Sequence, residues 1–123
     1  MAKILYVEYD DFIREAVCQM IGDWGYHVLM ASDVGEALAV LESSQNIDAL
    51  ITDITLKTAT HGGYELSRRA TEQRPSLRVL YTSGTARNQN HSYRAVRGSH
   101  FIQKPYREES LRSAVDTLLA ASV

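Results

Sequence analysis

The sequence predicts an α/β protein with a five-stranded parallel sheet that helices cover on both faces. Short apolar runs alternate five times with stretches of helical periodicity. The strand candidates are continuously apolar, as strands buried on both faces must be. A chain of 123 residues suits a single domain. Because crossovers are right-handed, we expect a doubly wound sheet with strand order 2-1-3-4-5.

The first two strand–helix units are marked by apolar runs and by aspartates. The first strand is predicted at Lys3–Val7, and the helix after it begins at Asp10 or Asp11 and ends at Gly25. The apolar stripe of this helix is Ile13, Val17, Met20, Ile21 and Trp24. Residues 26–31 form the second apolar run. Asp33 is placed to cap a second helix, whose stripe is Val34, Ala37, Leu38 and Leu41.

The remaining elements follow the same alternation. A third strand at 49–52 ends at Asp53, and a helix at 64–73 is closed by Pro75. A fourth strand is predicted at 77–81. Residues 86–97 are polar and rich in arginine, and we assign them to a helix. A short fifth strand at 101–102 precedes a last helix with the stripe Leu111, Val115, Leu118 and Leu119.

The composition excludes several classes of protein. A single cysteine, Cys18, can form neither an internal disulfide framework nor a multi-cysteine zinc site. The sequence has neither an apolar run of about 18 residues nor a signal-peptide pattern, so we expect a cytoplasmic protein without membrane association. The net charge of −2 divides into −8 for residues 1–56 and +6 for residues 57–123. Such asymmetry can mark an interaction surface.

Polar side chains stand where four of the predicted strands end. Glu8 follows the first strand, Asp53 the third, Thr82 the fourth and Lys104 the fifth. Ligands of doubly wound sheets bind at this edge, where the strand order reverses between strands 1 and 3. Carboxylates, a hydroxyl and an ammonium suit a divalent cation beside a phosphoryl group. A carboxylate can also act as a nucleophile and form an acyl phosphate.

Five motifs in order resemble the receiver domain of bacterial two-component response regulators, over about residues 3–121. They are Ile4-Leu5-Tyr6-Val7-Glu8, Leu50-Ile51-Thr52-Asp53-Ile54, Gly63-Tyr64-Glu65-Leu66, Val79-Leu80-Tyr81-Thr82-Ser83-Gly84 and Phe101-Ile102-Gln103-Lys104-Pro105. The intervals of 45, 29 and 22 residues between the four strand-end residues also suit the family. The resemblance implies the flavodoxin-like (βα)5 receiver fold and a role in phosphorelay signalling. It implies a single receiver domain over residues 1–123, with no output domain in this chain.

The resemblance also implies roles for the strand-end residues. Asp53 would accept a phosphoryl group from a histidine kinase or phosphotransfer protein, and Thr82 and Lys104 would contact that group. Magnesium is the implied cofactor, with Glu8, Asp53 and the backbone carbonyl of Thr55 as its ligands. Such a domain is a phosphoryl acceptor with at most slow self-hydrolysis, not an enzyme. Thr55 also stands where aspartyl phosphohydrolases usually carry a second acid, which argues against that class.

Two further features are implied near the fifth strand. Phe101 occupies the position of an aromatic switch residue that moves together with Thr82. That movement would reshape a face made by the fourth helix, the fifth strand and the fifth helix, where a downstream protein binds and receivers often dimerise. The Lys104–Pro105 peptide bond is expected to be cis.

Tyr9 departs from the family pattern, which has two adjacent acids after the first strand. A phenol titrates near about 10 and cannot replace a carboxylate ligand at neutral pH. Magnesium tolerates water ligands, so we expect weakened binding, with Asp10 as a substitute ligand if the loop bends. The alternative is a degenerate receiver that acts as a phosphorylation-independent protein-interaction module.

Other polar residues give weaker indications. Lys57 stands where the family often has proline, and the loop up to Gly63 is about two residues longer than usual. We interpret Thr58, Thr60 and His61 as a solvated loop, with a role for His61 at the site mouth as the alternative. The four histidines lack metal-ligand spacing and are interpreted as surface or packing residues. Five arginines surround the fourth and fifth helices: Arg87, Arg94, Arg97, Arg107 and Arg112. Without a recognition-helix motif, they favour a protein partner over direct nucleic-acid binding.

Overall fold

The computed structural model describes residues 1–43, 46–57 and 59–120, and it contains one five-stranded sheet. Its strands are β1 (Lys3–Val7), β2 (His27–Ala31), β3 (Ala49–Asp53), β4 (Arg78–Ser83) and β5 (His100–Gln103). Neighbouring strands run parallel in the order β2-β1-β3-β4-β5. The predicted fold class and strand order are therefore confirmed.

Within the same described ranges, five helices connect and follow the strands. They are α1 (Asp11–Asp23), α2 (Val34–Ser43), α3 (Gly62–Gln73), α4 (Gln89–Arg94) and α5 (Glu108–Ala120). Asp10 rather than Asp11 caps α1, since its carboxylate accepts a hydrogen bond from the Ile13 amide at 2.9 Å. Asp33 accepts from the Glu36 amide at 2.8 Å at the start of α2. No helix in the described ranges is long and apolar enough to cross a bilayer.

The sheet separates two apolar layers because successive strand side chains point to opposite faces. On β1, Ile4 and Tyr6 pack with α1 and α5, whereas Leu5 and Val7 pack on the side of α2 and α3. All four side chains are fully buried. This two-sided burial explains why the strand runs are continuously apolar in the sequence.

Helix α4 is much shorter than the predicted helix at 86–97. It begins after Asn88, whose side chain accepts from the His91 amide, and it ends at Arg94 because Ala95 is already extended. The next turn uses the left-handed conformation of Gly98, with φ of +78°. The other elements differ from the predicted ranges by no more than three residues at either end, the usual scatter of helix and strand boundaries.

Candidate functional site

The carboxyl ends of β1, β3, β4 and β5 bring four polar residues together in a cluster that we call the acid pocket: Glu8, Asp53, Thr82 and Lys104. Asp53 pairs in register with Thr82 across β3 and β4. Glu8 follows Val7, which pairs with Thr52 one residue before Asp53. The strand register thus places residues that are far apart in the sequence at one edge of the sheet.

Ionic and hydrogen-bond contacts hold the acid pocket together. The Lys104 ammonium lies 2.7 Å from Glu8 Oε1 and 2.9 Å from Asp53 Oδ1. The Thr82 hydroxyl donates to the same oxygen of Asp53. Glu8 and Asp53 are 4% and 6% exposed, so these charges interact where water screens them little.

The two carboxylates of the acid pocket have different affinities for a proton. Burial raises the pKa of Asp53 to about 7 and the adjacent Glu8 adds to this shift, while Thr82 and Lys104 oppose it. Burial also acts on Glu8, but its contacts with Asp53, Lys104 and the Asp10 amide lower its pKa. Burial would lower the pKa of Lys104, yet the contacts with both carboxylates raise it. Lys104 therefore stays charged, and Asp53 is the acid that is harder to ionise.

The backbone around Asp53 is fixed by the start of α3. The Ile54 amide donates to the Thr82 carbonyl at 3.0 Å, and the Gly63 amide donates to the Ile54 carbonyl at 2.8 Å. A Cβ atom on Gly63 would lie 2.1 Å from the Asp53 carbonyl oxygen. Only glycine fits this approach of α3 to the end of β3, which fixes where the Asp53 side chain begins.

A recess of about 260 Å³ opens beside Asp53. Its lining consists of Asp53, Thr55, Thr82, Ser83, Gly84, Thr85 and Lys104. The backbone is held here too, since the Lys104 amide donates to the Ser83 carbonyl at 2.8 Å. The Lys104–Pro105 peptide bond is cis. Hydroxyls and an ammonium beside a carboxylate make this recess suitable for an oxyanion such as a phosphoryl group.

The donor set fits magnesium with few protein ligands. Glu8 and Asp53 supply two carboxylates, and Thr55, an exposed residue that lines the recess, follows Asp53 by two positions. Magnesium is commonly held by one or two carboxylates together with water and phosphate oxygens. Across the described ranges, no group of three or more His, Cys, Asp or Glu side chains is arranged to bind a metal. The ammonium of Lys104, which now contacts both carboxylates, would share them with the ion.

Asp10 is directed elsewhere. Its side chain is exposed and caps α1, and only its backbone amide reaches the acid pocket, donating to Glu8 Oε2 at 3.1 Å. Using Asp10 as a metal ligand would require giving up the cap, which is worth about 1 kcal/mol. In this structure Asp10 therefore caps α1 and does not take the place of the missing second acid.

Tyr9, which directly follows Glu8 of the acid pocket, contacts Lys57 from the loop after β3. The Tyr9 side chain is 46% exposed, and the Lys57 ammonium lies 5.5 Å from its ring centroid. Lys57 has a φ of +57° and follows Leu56, which bridges to Ala59 in a tight antiparallel turn. The sequence did not indicate this contact, because it joins two loops whose conformations follow from neither periodicity nor spacing. Thr58, predicted to be solvated, lies outside the described residues.

A second group of side chains lies on the α3–α4 side of β4, and we call it the aromatic cluster: Tyr64, Tyr81, His91 and Phe101. Its ring centroids are separated by 5.1 to 5.6 Å in the pairs that contact each other. Phe101, the predicted switch residue, is half-buried and packs against His91. The histidine is thus a packing residue, as expected, but its position among three aromatic rings was not predicted.

The other residues singled out in the sequence lie at or near the surface. His61 is exposed at the start of α3, with its ring centroid 6.0 Å from that of Tyr64, and it lines a second recess that also includes Thr55 and Phe101. Cys18 is half-buried, and burial raises its pKa to about 11, which leaves the thiol protonated. The five arginines are all exposed.

Comparisons with known proteins agree with this geometry. The sequence profile of the response regulator receiver domain matches residues 4–116. The response regulator receiver protein CpdR of Brucella abortus is 29% identical over 123 residues, which span 99% of this chain and 100% of that protein.

Solved structures of similar proteins have the same fold. A response regulator receiver protein from Sinorhizobium medicae superposes with a TM-score of 0.89 at 27% identity, covering 99% of this chain and 97% of the other. A CheY-like receiver domain protein from Methanospirillum hungatei gives 0.87 at 27% identity, covering 99% and 96%. Since the family profile spans most of the chain and the sheet has the receiver strand order, the protein belongs to the response regulator receiver domain family.

Proposed function

We propose that the protein receives a phosphoryl group on Asp53 from a histidine kinase or a phosphotransfer protein. Receiver domains of two-component regulators act in phosphorelay signalling. The observation that supports the proposal most directly is the buried Asp53 carboxylate, which borders an open recess and contacts Lys104 and Thr82. In the transfer, an Asp53 oxygen attacks the phosphorus of a phosphohistidine. The P–N bond breaks as the P–O bond forms, and the leaving imidazole nitrogen takes up a proton.

The neighbours of Asp53 have separate tasks in this reaction. A phosphoryl group adds about −1.5 to −2 charge beside Glu8. Lys104 offsets this charge with its ammonium, and the Thr82 hydroxyl is free to turn from the carboxylate to a phosphoryl oxygen. Magnesium, when bound, would neutralise charge on the phosphoryl oxygens, with Glu8, Asp53 and the Thr55 carbonyl as the groups that hold it.

The output of phosphorylation is a changed protein-binding face. Thr82 on β4 follows Tyr81, which belongs to the aromatic cluster with Phe101. Rotation of Thr82 towards the phosphoryl group removes its contact with Asp53 and lets Phe101 reposition. The face formed by α4, β5 and α5 then binds a downstream protein or a second copy of this chain through its arginines. The protein acts in the cytoplasm as an acceptor with slow self-hydrolysis.

Intact-mass measurement tests the proposal. Incubation with acetyl phosphate and magnesium should add the mass of one phosphoryl group to the native chain and none to Asp53→Asn. Thr82→Ala should still be modified but should lose the accompanying change in the Phe101 environment. A native chain that remains unmodified, or an adduct that persists in Asp53→Asn, contradicts the assignment of Asp53.

A second function is favoured by one observation, the contact of the Tyr9 ring with the Lys57 ammonium at a position where the family carries an acid. Tyr9 removes a carboxylate from the expected ligand set, and Lys57 adds a positive charge nearby. In this alternative the protein is a degenerate receiver that binds its partner without phosphorylation.

Beryllofluoride, which mimics a bound phosphoryl group, separates the two functions. A magnesium-dependent change in the Phe101 environment of the native chain supports the switch. If the Phe101 environment does not change in the native chain but does change in Tyr9→Asp, the result supports the degenerate module. Tyr9→Phe is the matched control, because it keeps the ring under Lys57 and should behave as the native chain does.

A further inference from the structure

Helix α4 is attached to the protein by a single buried side chain. The structure describes all six of its residues, and His91 is the buried one, with 6% of its surface exposed. A helix this short is unstable by itself, since isolated helices need about 12 to 15 residues to be even marginally stable. The contacts of His91 therefore decide whether α4 stays docked.

These contacts come from three elements. The Tyr64 hydroxyl of α3 and His91 Nδ1 are joined by a hydrogen bond of 2.8 Å. The ring of Tyr81 on β4 lies edge-on to the imidazole, with centroids 5.3 Å apart. The ring of Phe101 on β5 packs against it at 5.1 Å and 73°. His91 thus connects α4 to the residue expected to act as the aromatic switch.

The surroundings of His91 favour an uncharged imidazole. Burial lowers its pKa, and the positive charge of Arg87 in the preceding loop adds to this shift. Tyr64 from α3 and Tyr81 from β4 contact the imidazole, and the exposed His61 at the start of α3 contacts Tyr64. The positive charge of Arg94, on α4 itself, acts to lower the pKa of Tyr64. Phe101 of β5 is neutral. Protonation would place a positive charge inside this cluster, with Arg87 and Arg94 adding repulsion.

We propose that His91 is a proton-sensitive anchor of α4, so that its protonation releases α4 and frees Phe101 while Asp53 remains unphosphorylated. A charged imidazole is unfavourable among the three buried rings next to Arg87, so it moves towards water and takes α4 with it. Acidification would then change the α4–β5–α5 face by a route that bypasses the acid pocket. The inference does not depend on phosphorylation of Asp53, because His91 contacts no member of the acid pocket in the described structure.

Nuclear magnetic resonance of the unphosphorylated full chain tests this directly. The His91 imidazole is titrated from pH 8 to pH 5 while the amides of residues 89–94 and the ring of Phe101 are followed. We expect all three to change with one midpoint, below the value of about 6.5 for an exposed histidine. The protection factors of the α4 amides, which correct for the slower intrinsic exchange at lower pH, should fall at least tenfold across that midpoint. Titration of His91 without any response of α4 would overturn the proposal.

Two variants test whether His91 is the group responsible for the pH response of α4 and Phe101. His91→Phe keeps a ring of similar size and cannot be protonated, so the pH response of α4 and Phe101 should disappear. His61→Gln removes the other histidine next to Tyr64 and should leave the response unchanged. A response that persists in His91→Phe or vanishes in His61→Gln contradicts the assignment. If His91→Phe does not fold, the shared midpoint in the native chain still decides the question.

Discussion

The acid pocket and the aromatic cluster share β4 and β5 but are held together in opposite ways. In the pocket, the ends of strands place Asp53, Thr82 and Lys104. Lys104 attracts the carboxylates of Glu8 and Asp53, which repel each other. In the cluster, neutral rings from α3, β4 and β5 surround His91, whose helix has only six residues. The position of the acid pocket is therefore rigid while its charge is adjustable, whereas the aromatic cluster is fixed by packing and comes apart when that packing is lost.

The largest expected effect comes from the glycine that supports the acid pocket. Gly63→Ala should lower the free energy of unfolding by about 3 kcal/mol, because the new Cβ meets backbone atoms that cannot move away. Chemical denaturation measures this change.

The matched control is Gly22→Ala in α1, where a Cβ meets nothing within 4 Å. Alanine is preferred over glycine in a helix by up to about 1 kcal/mol, so this variant should be slightly more stable. A Gly63→Ala variant as stable as Gly22→Ala would mean that the pocket backbone tolerates displacement and is not rigid.

The aromatic cluster should lose stability when one hydroxyl is removed. The Tyr81 hydroxyl shares a hydrogen bond of 2.5 Å with Ser67 and accepts from the Val96 amide at 3.0 Å. Tyr81→Phe removes the hydroxyl and leaves Ser67 and the Val96 amide without this hydrogen-bond partner. It should lower the free energy of unfolding by about 2 kcal/mol. Tyr93→Phe on α4, 89% exposed, should change it by less than about 0.5 kcal/mol. A Tyr81→Phe variant as stable as the control would show that the cluster is held by ring packing alone.

The acid pocket could be predicted from the sequence, whereas the aromatic cluster could not. Glu8, Asp53 and Lys104 each follow an apolar run, and parallel strands bring such positions to one edge whatever the loops do. The contact of His91 with Tyr64 depends on where a six-residue helix begins, and a polar stretch without apolar periodicity does not specify that. The contact of Lys57 with Tyr9 depends on a left-handed backbone conformation that a non-glycine residue seldom adopts.

Neutralising Asp53, the proposed phosphoryl acceptor, should stabilise the protein. The pKa of Asp53 is raised to about 7 in the folded state from 3.8, so its ionisation opposes folding. This cost is absent below about pH 4 and complete above pH 7. Without divalent cations, Asp53→Asn should raise the free energy of unfolding by about 1–2 kcal/mol at pH 8. The gain should shrink towards pH 4, where the Asp53 carboxyl group of the native folded chain is as neutral as the asparagine amide.

An unfolding series at several pH values measures this difference. Asp23→Asn, at the exposed end of α1, is a control for the general loss of one negative charge. A loss of stability in Asp53→Asn at pH 8 would mean that the ion pair with Lys104 outweighs burial and the repulsion from Glu8.

The smallest effect should come from His91 and run in the opposite direction with pH. Its pKa is lowered in the folded state by burial and by Arg87, so the unfolded chain binds more protons between the two pKa values. The stability that depends on neutral His91 is therefore complete above about pH 6.5 and is lost as the pH falls through the folded-state pKa. Asp53→Asn compared with Asp53→Asn/His91→Phe isolates this contribution, because both chains lack the titrating aspartate. The first should become less stable between pH 7.5 and 5 relative to the second. Parallel curves would mean that the cluster accepts a charged histidine and is as adjustable as the acid pocket.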